Sequence, residues 1–221
     1  MAKREINHYL VYQVEGGKAS ADIELTSNFD ASTINATVGD VSYFANPCDK
    51  RHGNLRTRIE DAHAHYAWHS LTADPEPERK LRGGTQFGTL RMTLEQPVGL
   101  LVPAEKVEDG SQLSSDIGHY KIYRVGQCTE PEDSVDLRDQ FGQLTTVLQG
   151  AKYLGVPTAK THDGTEYPAD ADDPYLTFYA VDETHPGEQR QVIDQFGDYE
   201  LDFLCTTFVG VPTVVSGWQE A

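Results

Sequence analysis

Short apolar blocks, not long amphipathic runs, set the rhythm of this chain. One pattern occurs four times: an aromatic residue or His, two variable residues, a large apolar residue, again an aromatic or His, one variable residue, and an apolar one. The copies are His8-Tyr9-Leu10-Val11-Tyr12-Gln13-Val14, His65-Tyr66-Ala67-Trp68-His69-Ser70-Leu71, His119-Tyr120-Lys121-Ile122-Tyr123-Arg124-Val125 and Tyr175-Leu176-Thr177-Phe178-Tyr179-Ala180-Val181. Aromatic and β-branched enrichment over seven residues predicts a strand in each. A polar turn follows, such as Glu15-Gly16-Gly17-Lys18 or Asp74-Pro75-Glu76-Pro77, and then a second strand. That strand leads to a corner whose glycine permits a tight turn. The third strand alternates, as in Leu90-Arg91-Met92-Thr93-Leu94, which suits a sheet wet on one face. A fourth is expected to end at a proline, which has no N–H to give a ladder. Only residues 56–67 suggest a helix, of about one turn.

The corners and prolines keep a fixed offset. Asp139-Gln140-Phe141-Gly142 is followed by Gly155-Val156-Pro157, and Asp194-Gln195-Phe196-Gly197 by Gly210-Val211-Pro212. Looser copies are Thr85-Gln86-Phe87-Gly88 with Leu101-Val102-Pro103, and Ser27-Asn28-Phe29-Asp30 with Ala45-Asn46-Pro47. Phe and Pro stand sixteen residues apart in the last three copies and eighteen in the first. The chain therefore reads as all-β, with four quasi-equivalent units of about 55 residues and about four strands each. Two arrangements fit: two tandem β-sandwich or barrel domains, 1–109 and 110–221, or a four-bladed propeller. The first is preferred, because units three and four resemble each other most and the connector over 105–115 is polar.

These motifs resemble an uncharacterised family of tandem β-repeat proteins whose units read H-F-K-C-Y-K-V, then D-Q-F-G, then L-L-C-V-P. The resemblance covers all four units and is strongest from His119 to Pro212; it implies a β fold and brings no assigned reaction. In those relatives a cysteine in the first strand and another before the closing V-P imply a bridge. Here Val11, Trp68, Ile122 and Phe178 hold the first position, and Ala45, Leu101, Gly155 and Gly210 the second. Against the family pattern, an apolar contact has replaced the bridge in every unit, large against small in at least three of the four.

Charge narrows the function classes. With 18 Lys and Arg against 35 Asp and Glu, the net charge is −17. Such a balance argues against nucleic acid and against anionic membranes as partners. No apolar run is long enough to span a bilayer as a helix, and no apolar signal core follows Met1. Three cysteines at non-equivalent places are read as reduced thiols, in a cytoplasmic or virion protein not secreted by a signal peptide.

Candidate chemistry is thin. His63, His65 and His69 share a strand parity that would aim three imidazoles at a divalent metal. Against that, His65 and His69 occupy repeat positions filled elsewhere by Tyr, which favours packing with a hydrogen bond. Asp170, Asp172 and Asp173 lack the glycine and spaced Glu of a calcium loop. Cys48 has no partner group fixed by spacing, and no nucleophile elbow, zinc-protease or phosphate-loop signature occurs. The suggestive feature is two connectors of opposite sign: Lys50, Arg51, Arg56 and Arg58 between units one and two, and Asp163, Glu166, Asp170, Asp172 and Asp173 between units three and four. They are candidates for pairing between subunits.

The sequence thus points to a non-enzymatic structural or interaction protein without a cofactor. It would be a β-repeat building block of a homo-oligomer or larger particle, such as a virion decoration or tail component. One alternative is a carbohydrate or small-ligand binding module, with Tyr9, Tyr66, Tyr120, Trp68 and Trp218 as stacking platforms. Another is a metal-dependent enzyme at the His63, His65 and His69 cluster.

Overall fold

The computed structural model describes residues 6–108, 111–114, 117–129, 133–170 and 172–221. Among them every regular element is a strand. In chain order these are β1 (His8–Glu15), β2 (Ala21–Ser27), β3 (Ile34–His52), β4 (Leu55–Thr57), β5 (His65–Ala73), β6 (Arg79–Thr85), β7 (Gly88–Lys106), β8 (His119–Cys128), β9 (Ser134–Asp139), β10 (Gly142–Val147), β11 (Ala151–His162), β12 (Thr165–Tyr167), β13 (Tyr175–Ala180), β14 (Glu188–Asp194) and β15 (Gly197–Glu220). The helix expected over 56–67 is not there. The segment starts as the return strand of a short hairpin, with Arg51 opposite Arg56, and then turns irregularly into β5.

The four predicted first strands are β1, β5, β8 and β13, and each pairs antiparallel with the closing strand of its own unit. Each also pairs with the closing strand of the unit before it, β1 with β15, β5 with β3, β8 with β7 and β13 with β11. The ladders therefore close on themselves through eight strands. In units one, two and four the expected third and fourth strands are one continuous strand, β3, β7 and β15. Its first part forms a hairpin with the second strand and branches away, so the whole is one fifteen-stranded sheet and not a regular barrel. The division expected at 109/110 falls between β7 and β8, which pair with each other. The units do not stand as separate blades, because their first and last strands share ladders.

Inside the ring lie the alternate side chains of the first strands. Tyr9, Val11, Tyr66, Trp68, Tyr120, Ile122, Leu176 and Phe178 form one buried cluster drawn from all four units. The expected apolar contacts are direct cross-strand pairs: Val11 with Ala45, Ile122 with Gly155 and Phe178 with Gly210, large against small, and Trp68 with Leu101, large against large. The small partner has a steric cause. A Cβ on Gly210 would stand 2.8 Å from Phe178 Cε1, and one on Gly155 3.2 Å from Ile122 Cδ1.

The closing proline acts differently from expectation. The ladder to the following unit stops two residues before it, at Ala45, Leu101, Gly155 and Gly210. The strand itself runs on, because the missing N–H ends pairing on one side only. Beyond the proline it changes partner and joins the second strand of the unit two places along: β3 with β9, β7 with β14, β11 with β2 and β15 with β6. Each hairpin is thereby held by a strand from the opposite side of the ring.

Candidate functional site

The corner motif is built from its own side chains. Its first residue accepts a hydrogen bond from the backbone N–H two residues on: Ser27 Oγ from Phe29 at 3.3 Å, Thr85 Oγ1 from Phe87 at 3.1 Å, Asp139 Oδ1 from Phe141 at 2.9 Å, and Asp194 Oδ1 from Phe196 at 2.7 Å. This turn mimic explains why Asp, Thr and Ser interchange there and apolar residues do not. The Phe is thrown onto the first strand of the unit two places away. Ring centres are 5.2 Å apart for Tyr12 and Phe141, 5.3 Å for His69 and Phe196, 5.9 Å for Tyr123 and Phe29, and 5.7 Å for Tyr179 and Phe87. Where the corner begins with Asp, its second carboxylate oxygen binds that same partner. Tyr12 Oη donates to Asp139 at 2.8 Å, and His69 Nε2 lies 2.6 Å from Asp194. Burial raises the Asp139 carboxyl above the usual range against the pull of the Tyr12 hydroxyl.

A second set of contacts joins neighbouring units, and the sequence reading missed it. Three residues after the closing proline stands a lysine, buried in each case: Lys50, Lys106 and Lys160. Each lies over the corner Phe of the next unit, at 5.1 Å from Phe87, 5.8 Å from Phe141 and 5.0 Å from Phe196. Lys106 and Lys160 also donate to the corner glutamines, Gln140 and Gln195. Desolvation pulls the amine of Lys160 down to about 7 and that of Lys50 to about 8. In unit four the position is Val215, which packs against the apolar cluster that contains Phe29. The charge over Phe29 comes instead from Arg79, held by Glu76 at 2.8 Å. Lys121 completes that network, reaching Asp30 at 2.7 Å and Glu76 at 2.9 Å. The constant offset from the proline was the available signal.

The histidines belong to the same framework. His69 Nδ1 lies 2.9 Å from the Gly39 carbonyl and its Nε2 binds Asp194, so both ring nitrogens are engaged. His65 stacks on Phe44, and burial pushes its pKa down to about 3. His63 precedes β5 and does not join them at a common point; among the described residues no group of three or more His, Cys, Asp or Glu gathers to hold a metal. Cys48 is buried and its thiol is pushed up by desolvation, the opposite of an activated nucleophile. The aromatic platforms are also spent: Tyr9, Tyr66, Tyr120 and Trp68 fill the ring, and only Trp218 is exposed.

The two charged connectors are equivalent short hairpins, β3–β4 and β11–β12. Their charges are reduced by the fold. Lys50 is buried, and Arg56, exposed like Arg51 and Arg58, is paired with Asp49 at 2.6 Å. Asp173 is buried, while Asp163, Glu166, Asp170 and Asp172 stay exposed. Asp163 and Gly164 form the turn with positive φ of 49° and 74°.

The open charged surfaces lie on the outer faces of the hairpins. One, on β15, β6, β7 and β8, is lined by Lys80, Arg82 and Arg91 with neutral polar residues. Another, on β11, β2, β3 and β5, is lined by Asp22, Glu24, Asp74 and Asp163. A third mixes Asp49 and Asp136 with Arg51, Arg56 and Arg138.

A family model for a repeat of unknown function, DUF7450, matches residues 63–212. The chain belongs to this family. In this DUF7450 chain the matched stretch runs from before β5 to the closing proline of unit four, and so covers three of the corners and two of the three lysines that follow a closing proline, Lys106 and Lys160. No curated protein and no solved structure matches.

Proposed function

We propose that this DUF7450 chain is a non-enzymatic building block of a larger protein assembly, of the kind that decorates a virion or forms part of its tail. One observation carries the reading. Comparing the four units with one another, the corner and first-strand positions that repeat are spent on contacts inside the molecule, while the hairpin faces differ in charge from unit to unit. The corner Asp, Gln and Phe, the lysine after the proline and the first-strand aromatics all join one unit to another. The residues seven and five before the corner Phe change freely: Asp22 and Glu24, Lys80 and Arg82, Ser134 and Asp136, Gln189 and Gln191. A rigid frame with individually varied faces suits recognition of protein neighbours by charge.

The test is recovery of the chain from its native cells under mild lysis at low salt, followed by size separation and mass spectrometry of cross-linked material. The expected result is migration in a particle with other copies or other proteins. Migration alone at 24.5 kDa, with nothing cross-linked to it, sinks the proposal.

A further inference from the structure

We infer that the chain binds a second copy of itself by seating the basic outer face of unit two on the acidic outer face of unit one. This rests on the assembly reading above and names the partner within it.

The two faces are the same piece of architecture in different charges. In unit two, Gly217, Arg82 and Arg91 stand side by side across β15, β6 and β7, and Lys80, Thr93 and Gln127 across β6, β7 and β8. In unit one, Thr161, Glu24 and Asn35 stand side by side across β11, β2 and β3, and Asp22, Thr37 and Thr72 across β2, β3 and β5. Lys80 therefore takes the ladder position of Asp22, and Arg82 that of Glu24. Asp74 and Asp163 add to the acidic face and Arg91 to the basic one.

The basic face is costly as it stands. Arg82 and Arg91 are directly opposite one another on adjacent strands, a like-charge arrangement that destabilises a sheet. Among the described residues neither arginine nor Lys80 has an ion pair, and none of the four acids pairs with Lys or Arg. In a chain of net charge −17, three unpaired cations on one face with no carboxylate among its described lining residues form a local inversion of sign. A surface offering four carboxylates, two of them at matching ladder positions, relieves that repulsion, and the same molecule carries one. The basic and acidic faces belong to different units, so the contact is between unlike surfaces. Such a contact leads to a ring or an open array if it is used once per molecule.

Sedimentation of the purified full-length chain over a range of concentration tests this. Self-association is expected at low ionic strength and is expected to weaken as salt is added. Lys80→Glu with Arg82→Glu gives two acidic faces, and Asp22→Lys with Glu24→Lys gives two basic ones. Each double variant alone should self-associate at least about tenfold more weakly, because like charges then meet. An equimolar mixture of the two should associate again. Should a reversal fail to fold, the neutral pairs Lys80→Gln with Arg82→Gln and Asp22→Asn with Glu24→Gln serve for the loss, each checked for a native melt. A wild-type chain that stays monomeric at low salt overturns the inference, as does association that the reversals leave unchanged or a mixture that stays monomeric. Any of these leaves a particle built with other proteins untouched, so the two proposals fail separately.

Discussion

Lys160 holds its Nζ 5.0 Å from the centre of the Phe196 ring, reaching from one unit onto the corner of the next. The same amine lies 2.7 Å from His119 Nε2 and donates to Gln195, so a lysine, a histidine, a glutamine and a phenylalanine meet in a buried junction. The equivalent junctions at Lys50 and Lys106 make this a repeated joint between units and not an isolated site.

The joint makes stability depend on pH. Burial holds the Lys160 amine at about 7 instead of 10.5. Below the folded value the amine is charged in both folded and unfolded chains. Between the two values only the unfolded chain carries the proton, so this site destabilises less and less as pH rises from about 7 towards 10.5. Urea midpoints measured across that range should climb in the wild type and climb less in Lys160→Met. Parallel curves would contradict a desolvated amine.

Acid should act through the histidines. Burial lowers His8, His65 and His119 to about 3 each from 6.5, so all three are neutral in the folded chain through mild acid. As pH falls below 6.5 the unfolded chain takes up protons that the folded chain refuses, and stability is lost until about pH 3. Replacing His8 by Tyr, the residue that unit four uses at Tyr175, should remove up to about 1.4 kcal/mol per pH unit of that slope. Denaturant titrations at several pH values check this, and an unchanged slope would mean that His8 titrates normally.

Gly210 gives the steric test. A methyl added there meets Phe178 at 2.8 Å, so Gly210→Ala should cost about 1–3 kcal/mol through overpacking. Phe178→Leu in the same chain should recover part of it, because volume is returned at the point of contact. Gly155→Ala should cost less, its nearest atom being 3.2 Å away. Chemical denaturation orders the four proteins.

Residues 1–109 and 110–221 expressed separately should not give folded monomers. Each half would leave two ring strands with one edge unpaired, β1 and β7 in one and β8 and β15 in the other. All four corner contacts would also be lost, since Tyr12 with Phe141, His69 with Phe196, Tyr123 with Phe29 and Tyr179 with Phe87 each cross the division. Amide NMR dispersion and a cooperative melt should appear only when the halves are mixed. A well-dispersed spectrum from either half alone would establish two independent domains.

Internal repetition made the strands, the corners and the large-against-small pairs readable. A period of about 55 residues is written in neighbouring letters, and Val11 with Ala45 or Phe178 with Gly210 trade volume within one unit. The buried lysines were equally written, at a fixed step beyond each proline, but their charge suggests solvent until a ring is seen to cover them. Lys50 shows the cost of that assumption: it reads as an exposed cation in a basic connector and is instead packed beneath Phe87.

By itself the sequence determined which residues form strands, where each unit turns, and which side chains face each other across a hairpin, because these depend on neighbours in the chain and on a period of two. The tertiary structure alone decided that the units share one sheet, that each closing strand crosses to the hairpin two units away, and that Asp22 and Lys80 hold the same place on faces of opposite charge. Pairing between units joins residues more than a hundred positions apart, as Tyr12 and Asp139 are, and nothing in local propensity says which edge a strand will choose once its own hairpin is complete.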